Sequence, residues 1–365
     1  MIEFIPLKNY YDVYIYFCLF IVVAILLHAY ALGLNDQKNL KFLRNAGWLL
    51  LVLIIVYLGL RPISFKVFGD MSTYANYFNR YANGSPITTD QDIAFHIYMK
   101  MLSKLVNVHG FFLITSVLYT LPTYIISKKY FKDYWFYGFL MFVVSFSFYT
   151  YGTNGIRNGL ATSFFLWGLC YPNNRIIMGA LFALAVLFHK TLLLPVIAYI
   201  LTLFYNEPKI YLKAWFFSIP MSLFFGSIFI NLFTSLGFGD DRLAGYLTQE
   251  MDSENFSHTG FRWDFLFYSS FPVFAGWYFI IKRQFNDKFY KQFYGTYLIC
   301  NAFWILVIRA NFSNRFAYLS WFLMAFIIIY PLLKQQFFKN QQIMIAKIVT
   351  IYFLFTFLMY FIYYE

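Results

Sequence analysis

The chain has 365 residues, of which 61% are hydrophobic, 25% are aromatic and only 12% are charged. A soluble domain carries roughly a quarter charged residues, so this composition excludes an ordinary water-soluble protein and predicts a polytopic integral membrane protein. The net charge of +12 is spread over short basic clusters between apolar runs, which is typical of membrane orientation signals and argues against a nucleic-acid partner.

Twelve apolar runs are candidates for membrane-spanning helices, because a span needs about 20 mostly apolar residues. They lie near 13–32, 45–60, 110–127, 134–151, 157–173, 176–190, 191–206, 213–233, 264–281, 292–308, 316–333 and 343–363. Some neighbouring runs leave almost no connector, which predicts that one span is broken or re-entrant. The sequence thus predicts an all-α bundle of about twelve spans that forms a single integral membrane domain over residues 1–365.

Two long hydrophilic connections, 61–109 and 234–263, separate the runs. From Ile93 to Val108 apolar and basic residues mix at helical spacing, and Lys100 and Lys104 would face hydrocarbon in a spanning helix. We therefore expect an interfacial helix there. The second connection carries polar residues that are typical of a solvated surface, among them Asp240, Asp241, Arg242 and Tyr246.

Lysine and arginine divide between the two sides of the expected membrane. The lysine-rich connections read as cytoplasmic, and they contain Lys38, Lys41, Arg44, Lys128, Lys129, Lys132, Arg175, Lys209, Lys213, Lys282, Arg283, Lys288, Lys291, Lys334 and Lys339. Both long connections and both termini then lie outside, with Arg61, Arg80, Arg157, Arg242, Arg262, Arg309 and Arg315. The orientation of the helices in the membrane does not require arginines on the external side, so these residues indicate another role. A planar guanidinium binds phosphate through two parallel hydrogen bonds.

The first candidate functional motif begins at Arg61, at the end of a predicted span. Gly69 permits a tight turn, and Asp70 is expected near a helix start with Tyr74 and Phe78 on one face. The alternative is that Asp70 only caps the helix, while the two aromatic residues anchor it at the membrane interface.

A second motif, Tyr151 to Ala161, places glycines and asparagines around Arg157. Small residues would explain close helix packing, but an arginine near a helix centre costs at least ~2.5 kcal/mol and is usually functional. Farther on, His189 and Lys190 interrupt two apolar runs. His189 is a candidate base near neutral pH, with a satisfied structural histidine as the alternative.

The last motif holds Arg309 and Arg315 on either side of a polar turn, where they would clamp one polyanion or snorkel to the interface. Arg262, beside Trp263, suits stacking on sugar rings. Cys18, Cys170 and Cys300 each lie in an apolar run and suggest neither a disulfide nor a metal site. We therefore expect no metal and no cofactor.

Together, Arg61…Gly69-Asp70-x-x-x-Tyr74-x-x-x-Phe78, Arg157-Asn-Gly-Leu-Ala161 and His189-Lys-Thr191 resemble the EpsG/Wzy family of exopolysaccharide and O-antigen repeat-unit polymerases. The resemblance covers most of the chain in span order. It implies a bacterial inner-membrane glycosyltransferase with a GT-C-like fold and a periplasmic site. It also implies undecaprenyl-pyrophosphate-linked oligosaccharides as substrates, without a nucleotide sugar, and membrane lipid and a chain-length regulator protein as partners.

On this basis we expect metal-independent transfer of a growing glycan from undecaprenyl pyrophosphate to a hydroxyl of a second lipid-linked repeat unit. Arginines would compensate the charge of the leaving pyrophosphate, with Arg157 and Arg315 first, and Arg61, Arg309 and Arg262 behind them. Asp70 or His189 would accept the hydroxyl proton. The residues expected to contact sugars are Tyr74, Tyr149, Tyr151, Asn154 and Tyr318.

Three other functions are alternatives to a polymerase: a flippase, an O-antigen ligase and a membrane acyltransferase. A flippase for the same lipid needs cations accessible from both leaflets and often internal repeats, whereas the arginines here gather on one side and no repeat is evident. An O-antigen ligase differs from a polymerase only in its acceptor. A membrane acyltransferase is disfavoured because His189 lacks an acidic partner nearby in the sequence.

Overall fold

The computed structural model describes residues 2–235, 260–310 and 313–364, in which every regular element is a helix. The α-helices are α1 Tyr10–Ala31, α2 Gln37–Gly59, α3 Phe65–Phe68, α4 Met71–Ala82, α5 Ile93–Leu102, α6 Val108–Phe131, α7 Trp135–Val143, α8 Phe148–Thr153, α9 Ile156–Gly168, α10 Arg175–Phe188, α11 Leu193–Phe204, α12 Pro208–Ser235, α13 Trp263–Trp277, α14 Lys288–Leu306, α15 Ser313–Lys334 and α16 Gln341–Tyr364. The all-α prediction is confirmed for these residues. Most of the predicted 234–263 connection, with Asp240, Asp241, Arg242 and Tyr246, lies outside them.

Seven helices in the described residues are long and apolar enough to cross a membrane. They are Leu7–Ala31, Gln37–Gly59, Val108–Val143, Pro208–Phe233, Trp263–Lys282, Ser313–Lys334 and Gln341–Ile362. The membrane character is confirmed, whereas the predicted count of about twelve spans and the GT-C-like fold are not.

Most of the difference lies in the middle of the chain, where the predicted spans 157–173, 176–190 and 191–206 are helices too short to cross. The predicted span 292–308 falls in α14, which has 19 residues but is not among the seven. The α9 helix has 13 residues and α10 has 14, so at 1.5 Å per residue each extends about 20 Å, against about 30 Å of hydrocarbon. The predicted span 134–151 divides into α7 and α8. The predicted break in this region is therefore a series of short helices.

The chain divides into two compact units: unit 1, Met1–Lys190 with Leu332–Glu365, and unit 2, Thr191–Pro331. In unit 1, α6 packs against α2, α7 and α9, while α10 packs against α9 and α5. The predicted 61–109 connection contains α3, α4 and α5, so the expected helix after Ile93 is present and ends at Leu102. The prediction of a single integral domain stays a prediction.

Lysine-rich connections gather at one end of unit 1. The Tyr134 hydroxyl donates to Oδ1 of Asn35 in the α1–α2 turn, and Lys334 Nζ donates to the Tyr130 carbonyl at 3.2 Å. The Tyr130 hydroxyl in turn donates to the Leu169 carbonyl at 2.8 Å, near the α9–α10 turn. Four connections predicted to be cytoplasmic therefore lie together.

The opposite end of unit 1 collects the chain segments that carry the candidate site. There Arg61 meets the end of α8, the Gly69-Asp70 turn meets Asn154, and His189 meets the start of α5. The α6 helix runs from one end to the other, and its 24 residues extend about 36 Å. The two ends are thus separated by roughly the thickness of a bilayer.

Unit 2 is held by hydrogen bonds between buried polar side chains of α12, α13, α14 and α15. Trp215 Nε1 donates to Asn301 Oδ1 at 2.6 Å, and Asn301 Nδ2 contacts Ser320 Oγ at 3.0 Å. Trp321 Nε1 donates to Ser269 Oγ at 2.7 Å. Interhelical bonds of this kind hold helices together where lipid supplies no hydrophobic drive.

Gly276 on α13 lies so close to α14 that an added Cβ would stand 2.2 Å from the Tyr294 ring. We expect Gly276→Ala to destabilise the protein by about 1–3 kcal/mol through overpacking and to lower its melting temperature in detergent. The matched control is Gly179→Ala on α10, where no atom lies within 4 Å, so its melting temperature should stay equal or rise. Equal melting temperatures for the two variants would contradict the packing.

The separation of the two ends predicts opposite labelling of Asn83 and Asn340, which are both exposed. In spheroplasts, an impermeant maleimide should label Asn83→Cys at once and Asn340→Cys only after permeabilisation. The native cysteines Cys18, Cys170 and Cys300 are buried, so the unaltered protein serves as the background control. Outside labelling at both positions contradicts the orientation inferred from the lysines.

Candidate functional site

The helical path breaks between α8 and α9, at Asn154 and Gly155. The Thr153 carbonyl at the end of α8 accepts a hydrogen bond from Arg61 Nη2 at 2.7 Å. Arg61 is only 1% exposed, and its guanidinium lies 5.2 Å from the centre of the Phe112 ring. Backbone groups released at a break inside a membrane need protein partners, and Arg61 supplies one. Its predicted role in substrate binding stays a prediction.

Asn154 connects this break to the Gly69-Asp70 turn. Its Oδ1 accepts a hydrogen bond from the Asp70 backbone N–H at 2.8 Å. Gly69 has φ +52°, and a Cβ there would stand 2.6 Å from the same oxygen, so the approach requires glycine. The Asp70 carboxylate is on an exposed residue and makes no capping bond to α4. The simple capping alternative for Asp70 therefore lacks its hydrogen bond.

The strongest charge cluster forms around Asp92, just before α5. Asp92 Oδ2 lies 2.7 Å from Arg157 Nη1 and 3.2 Å from His189 Nδ1. Asp92 Oδ1 accepts from the Lys190 backbone N–H at 3.2 Å. The Asp92 side chain is 1% exposed, whereas those of His189 and Arg157 are 11% and 22% exposed. One buried carboxylate thus joins the starts of α5 and α9 to the end of α10.

The surroundings keep this carboxylate ionised. Burial by itself raises the pKa of Asp92, but the hydrogen bond from His189, the electrostatic attraction of His189 and Arg157, and the Lys190 N–H together bring it below the ordinary value. A carboxylate accepts hydrogen bonds and donates none. His189 Nδ1 must therefore carry the hydrogen of the contact with Asp92.

Asp92 was not singled out in the sequence, and the reason is physical. An acidic residue directly before an apolar helix predicts a cap, and its contact with His189 joins residues 97 apart in the chain. In the structure Asp92 makes no side-chain cap. It also supplies the acidic partner that His189 lacks nearby in the sequence, so the absence of a local acid does not count against an acyltransferase.

The aromatic candidates of unit 1 are mostly interior. Tyr74 is 7% exposed and packs edge-on against Phe95 at 5.3 Å. Tyr149 is also 7% exposed, with Tyr11 and Tyr14 each 4.8 Å away between ring centres. Tyr151 and the non-aromatic candidate Asn154 are more accessible, because both are half-buried beside the break between α8 and α9.

The candidates of unit 2 begin with Arg262, which forms a paired contact with Asp264. Arg262 Nε donates to Oδ1 at 3.0 Å and Nη2 donates to Oδ2 at 2.6 Å. Its guanidinium lies 3.7 Å from the centre of the Phe265 ring. A carboxylate and an aromatic ring of its own helix thus occupy two of the surfaces on which a sugar or phosphate would bind.

Arg309, Arg315 and Tyr318 also belong to unit 2. Arg309 is exposed, and its Nη2 donates to the Leu223 carbonyl of α12 at 3.4 Å. Arg315 is exposed in the first turn of α15, whereas Tyr318 is 2% exposed. The turn residues 311 and 312 lie outside the described residues. A cavity shared by these arginines and Arg157 stays a prediction.

The described residues contain no group of three or more His, Cys, Asp or Glu side chains placed to hold a metal ion. Metal independence itself stays a prediction. What unit 1 does offer is a partly exposed guanidinium beside a histidine of fixed orientation. Such a pair is suited to binding an anion and to accepting a proton next to it.

Comparison with known proteins identifies the family of the chain. No curated protein and no solved structure matches the chain. The family model of the EpsG family matches residues 47–365, from within α2 to the end of the chain, and so includes Asp92, Arg157 and His189. The resemblance seen in the sequence is confirmed: the chain belongs to the EpsG family, the family of Wzy-type polysaccharide polymerases.

Proposed function

We propose that the protein polymerises O-antigen or exopolysaccharide repeat units. The growing glycan is transferred from undecaprenyl pyrophosphate to a hydroxyl group of a second lipid-linked repeat unit. Family membership supports the polymerase class. The observation that carries the assignment to this site is that Arg157 and His189, from two different helices, meet on the buried carboxylate of Asp92.

The chemistry that such a site must perform is limited. The leaving group is a lipid pyrophosphate, which needs charge compensation more than protonation. A guanidinium held in place before the reaction supplies that compensation without reorganising, and Arg157 has a side chain that is 22% exposed while its Nη1 is anchored by Asp92. Both substrates are membrane-anchored, which confines them to one depth and lowers the entropic cost of their encounter.

The two ends of unit 1 support a proposal for the location of the site. The site lies at the end opposite the lysine-rich connections, and the positive-inside rule makes that lysine-rich end cytoplasmic. We therefore place the site on the periplasmic, external side of the bacterial inner membrane. Membrane lipid and a chain-length regulator protein are the further partners that this role implies.

Among the alternatives, a flippase and a ligase make different products. A flippase moves the lipid-linked unit without forming a glycosidic bond. A ligase transfers a finished glycan to another acceptor. Reconstitution of the purified protein with one defined lipid-linked repeat unit separates all three, because only a polymerase yields a ladder of lengthening glycans from that unit alone.

In this assay we expect Arg157→Lys to lower the polymerisation rate by about 10²–10³-fold, the effect of losing one preorganised donor to a transition-state anion. Lysine keeps the charge but not the planar fork. Arg175→Lys is the matched control, because Arg175 is exposed at the start of α10 and should leave the ladder unchanged. Polymer of normal length and rate from Arg157→Lys would remove Arg157 from the site.

Metal independence is tested by adding a chelator to the same reconstituted protein. If arginine compensates the charge of the pyrophosphate, the rate should not fall in the presence of EDTA. Adding Mg²⁺ afterwards should not raise it. A strict Mg²⁺ requirement contradicts the proposed role of arginine, while leaving the polymerase assignment intact.

A further inference from the structure

Two residues, Asp70 and His189, are candidates for the base, and their surroundings differ. Asp70 is on the surface, and its backbone rather than its carboxylate makes the contact with Asn154. The His189 side chain is 11% exposed and is directed by a buried carboxylate. A base needs a fixed position relative to the proton that it removes, and the structure fixes only His189 in this way.

The contact also selects one nitrogen of the imidazole. Nδ1 of His189 lies 3.2 Å from Asp92 Oδ2 and carries the hydrogen of that bond. A neutral imidazole has its hydrogen on one nitrogen and a lone pair on the other. Within the described part of the chain, Nε2 of His189 has no hydrogen-bond partner. Nε2 is therefore the nitrogen that is available to accept a proton.

Asp92 makes its contact with His189 from a strained backbone conformation and without capping α5. Its backbone lies in the left-handed region, with φ 50° and ψ 41°, a conformation that costs energy for any residue with a Cβ. It occupies the N-cap position of α5, yet its carboxylate caps nothing, although aspartate is among the preferred capping residues. The carboxylate is committed to α9 and α10 instead. Backbone strain of this kind concentrates at functional sites.

We propose that Asp92 is a positioning residue that holds His189 with Nε2 directed to the acceptor, and that His189, not Asp70, is the base of the transfer. This inference rests on the proposed function. Arg157 shares the same carboxylate oxygen, so Asp92 sets the distance between the base and the cation that receives the leaving group.

The acceptor hydroxyl oxygen forms a bond to the anomeric carbon of the donor glycan as its proton passes to His189 Nε2. The bond from that carbon to the pyrophosphate oxygen breaks, and the electron pair leaves with the lipid pyrophosphate, beside Arg157. The imidazolium then returns its proton to water. No oxidant, reductant or further co-reactant takes part.

The first test is Asp92→Asn in the reconstituted assay. Asparagine keeps the size of the side chain and an acceptor for the Lys190 N–H, but it no longer holds His189 as a carboxylate does. We expect kcat to fall by about 10²–10⁴-fold, the usual contribution of general base catalysis. Asp90→Asn is the matched control, since Asp90 is exposed in the same connection, and it should retain the wild-type kcat.

A double-mutant cycle then separates positioning from a merely structural role. If Asp92 acts through His189 as well as anchoring Arg157, adding Asp92→Asn to His189→Gln should lower kcat by clearly less than Asp92→Asn does alone, because the part of the loss that passes through His189 has already occurred. A structural defect would instead add its own loss to that of His189→Gln. Additive losses, or wild-type kcat in Asp92→Asn, overturn the inference.

A third measurement does not depend on the folding of the Asp92 variant. The charged groups that face His189 are Asp92, before α5, and Arg157, on α9. Wild-type kcat should fall at low pH as the base becomes protonated. This fall should disappear from the residual activity of His189→Gln and persist in Asp70→Asn, and the reverse pattern overturns the inference. Absence of a ladder from the wild-type protein would instead contradict the proposed function.

Discussion

The site depends on one interaction, the pairing of the buried Asp92 carboxylate with Arg157 and His189. A charge that is 1% exposed is stable only when it is paired and hydrogen-bonded. Its two oxygens take contacts from α9, from the side chain at the end of α10 and from the backbone that follows it. Removing any one partner would leave the others incompletely paired in a medium of low dielectric. The three helix ends are therefore fixed together by electrostatics rather than by apolar packing alone.

Short helices are what bring these polar groups together. A helix that crosses the bilayer satisfies its own backbone, whereas a break exposes carbonyl and amide groups that only protein or water can satisfy. At the break between α8 and α9, Arg61 binds the Thr153 carbonyl and Asn154 binds the Asp70 amide. Arg61 thus satisfies a backbone carbonyl at the break, and Asn154 ties the break to the Gly69-Asp70 turn. Arg157 follows within the first turn of α9. A continuous span would have buried the same residues among apolar neighbours.

Apolar runs in the sequence located most of the long helices, but they did not show which of those helices cross the membrane. Hydropathy reports that a segment avoids water, and it does not distinguish a lipid-facing helix from one enclosed by protein. All but two of the 13 residues of α9 are buried, so its apolar character serves packing within unit 1. The motifs around Arg157 and His189 were visible because they interrupt apolar runs. Asp92 was not, because it precedes an ordinary apolar helix and its partners are distant in the chain.

Pairing Arg157 with Asp92 also bears on turnover under the proposed function. An unpaired arginine at this depth would be costly to hold and would bind the diphosphate of substrate and product alike. Binding that is equal in both states lowers KM without raising kcat. Since Asp92 already offsets part of the positive charge, the remaining attraction has most effect when negative charge grows on the departing oxygen. The same carboxylate stabilises the imidazolium that forms as His189 takes up its proton, so the two charges that develop during the transfer are each met by a partner that was in place beforehand.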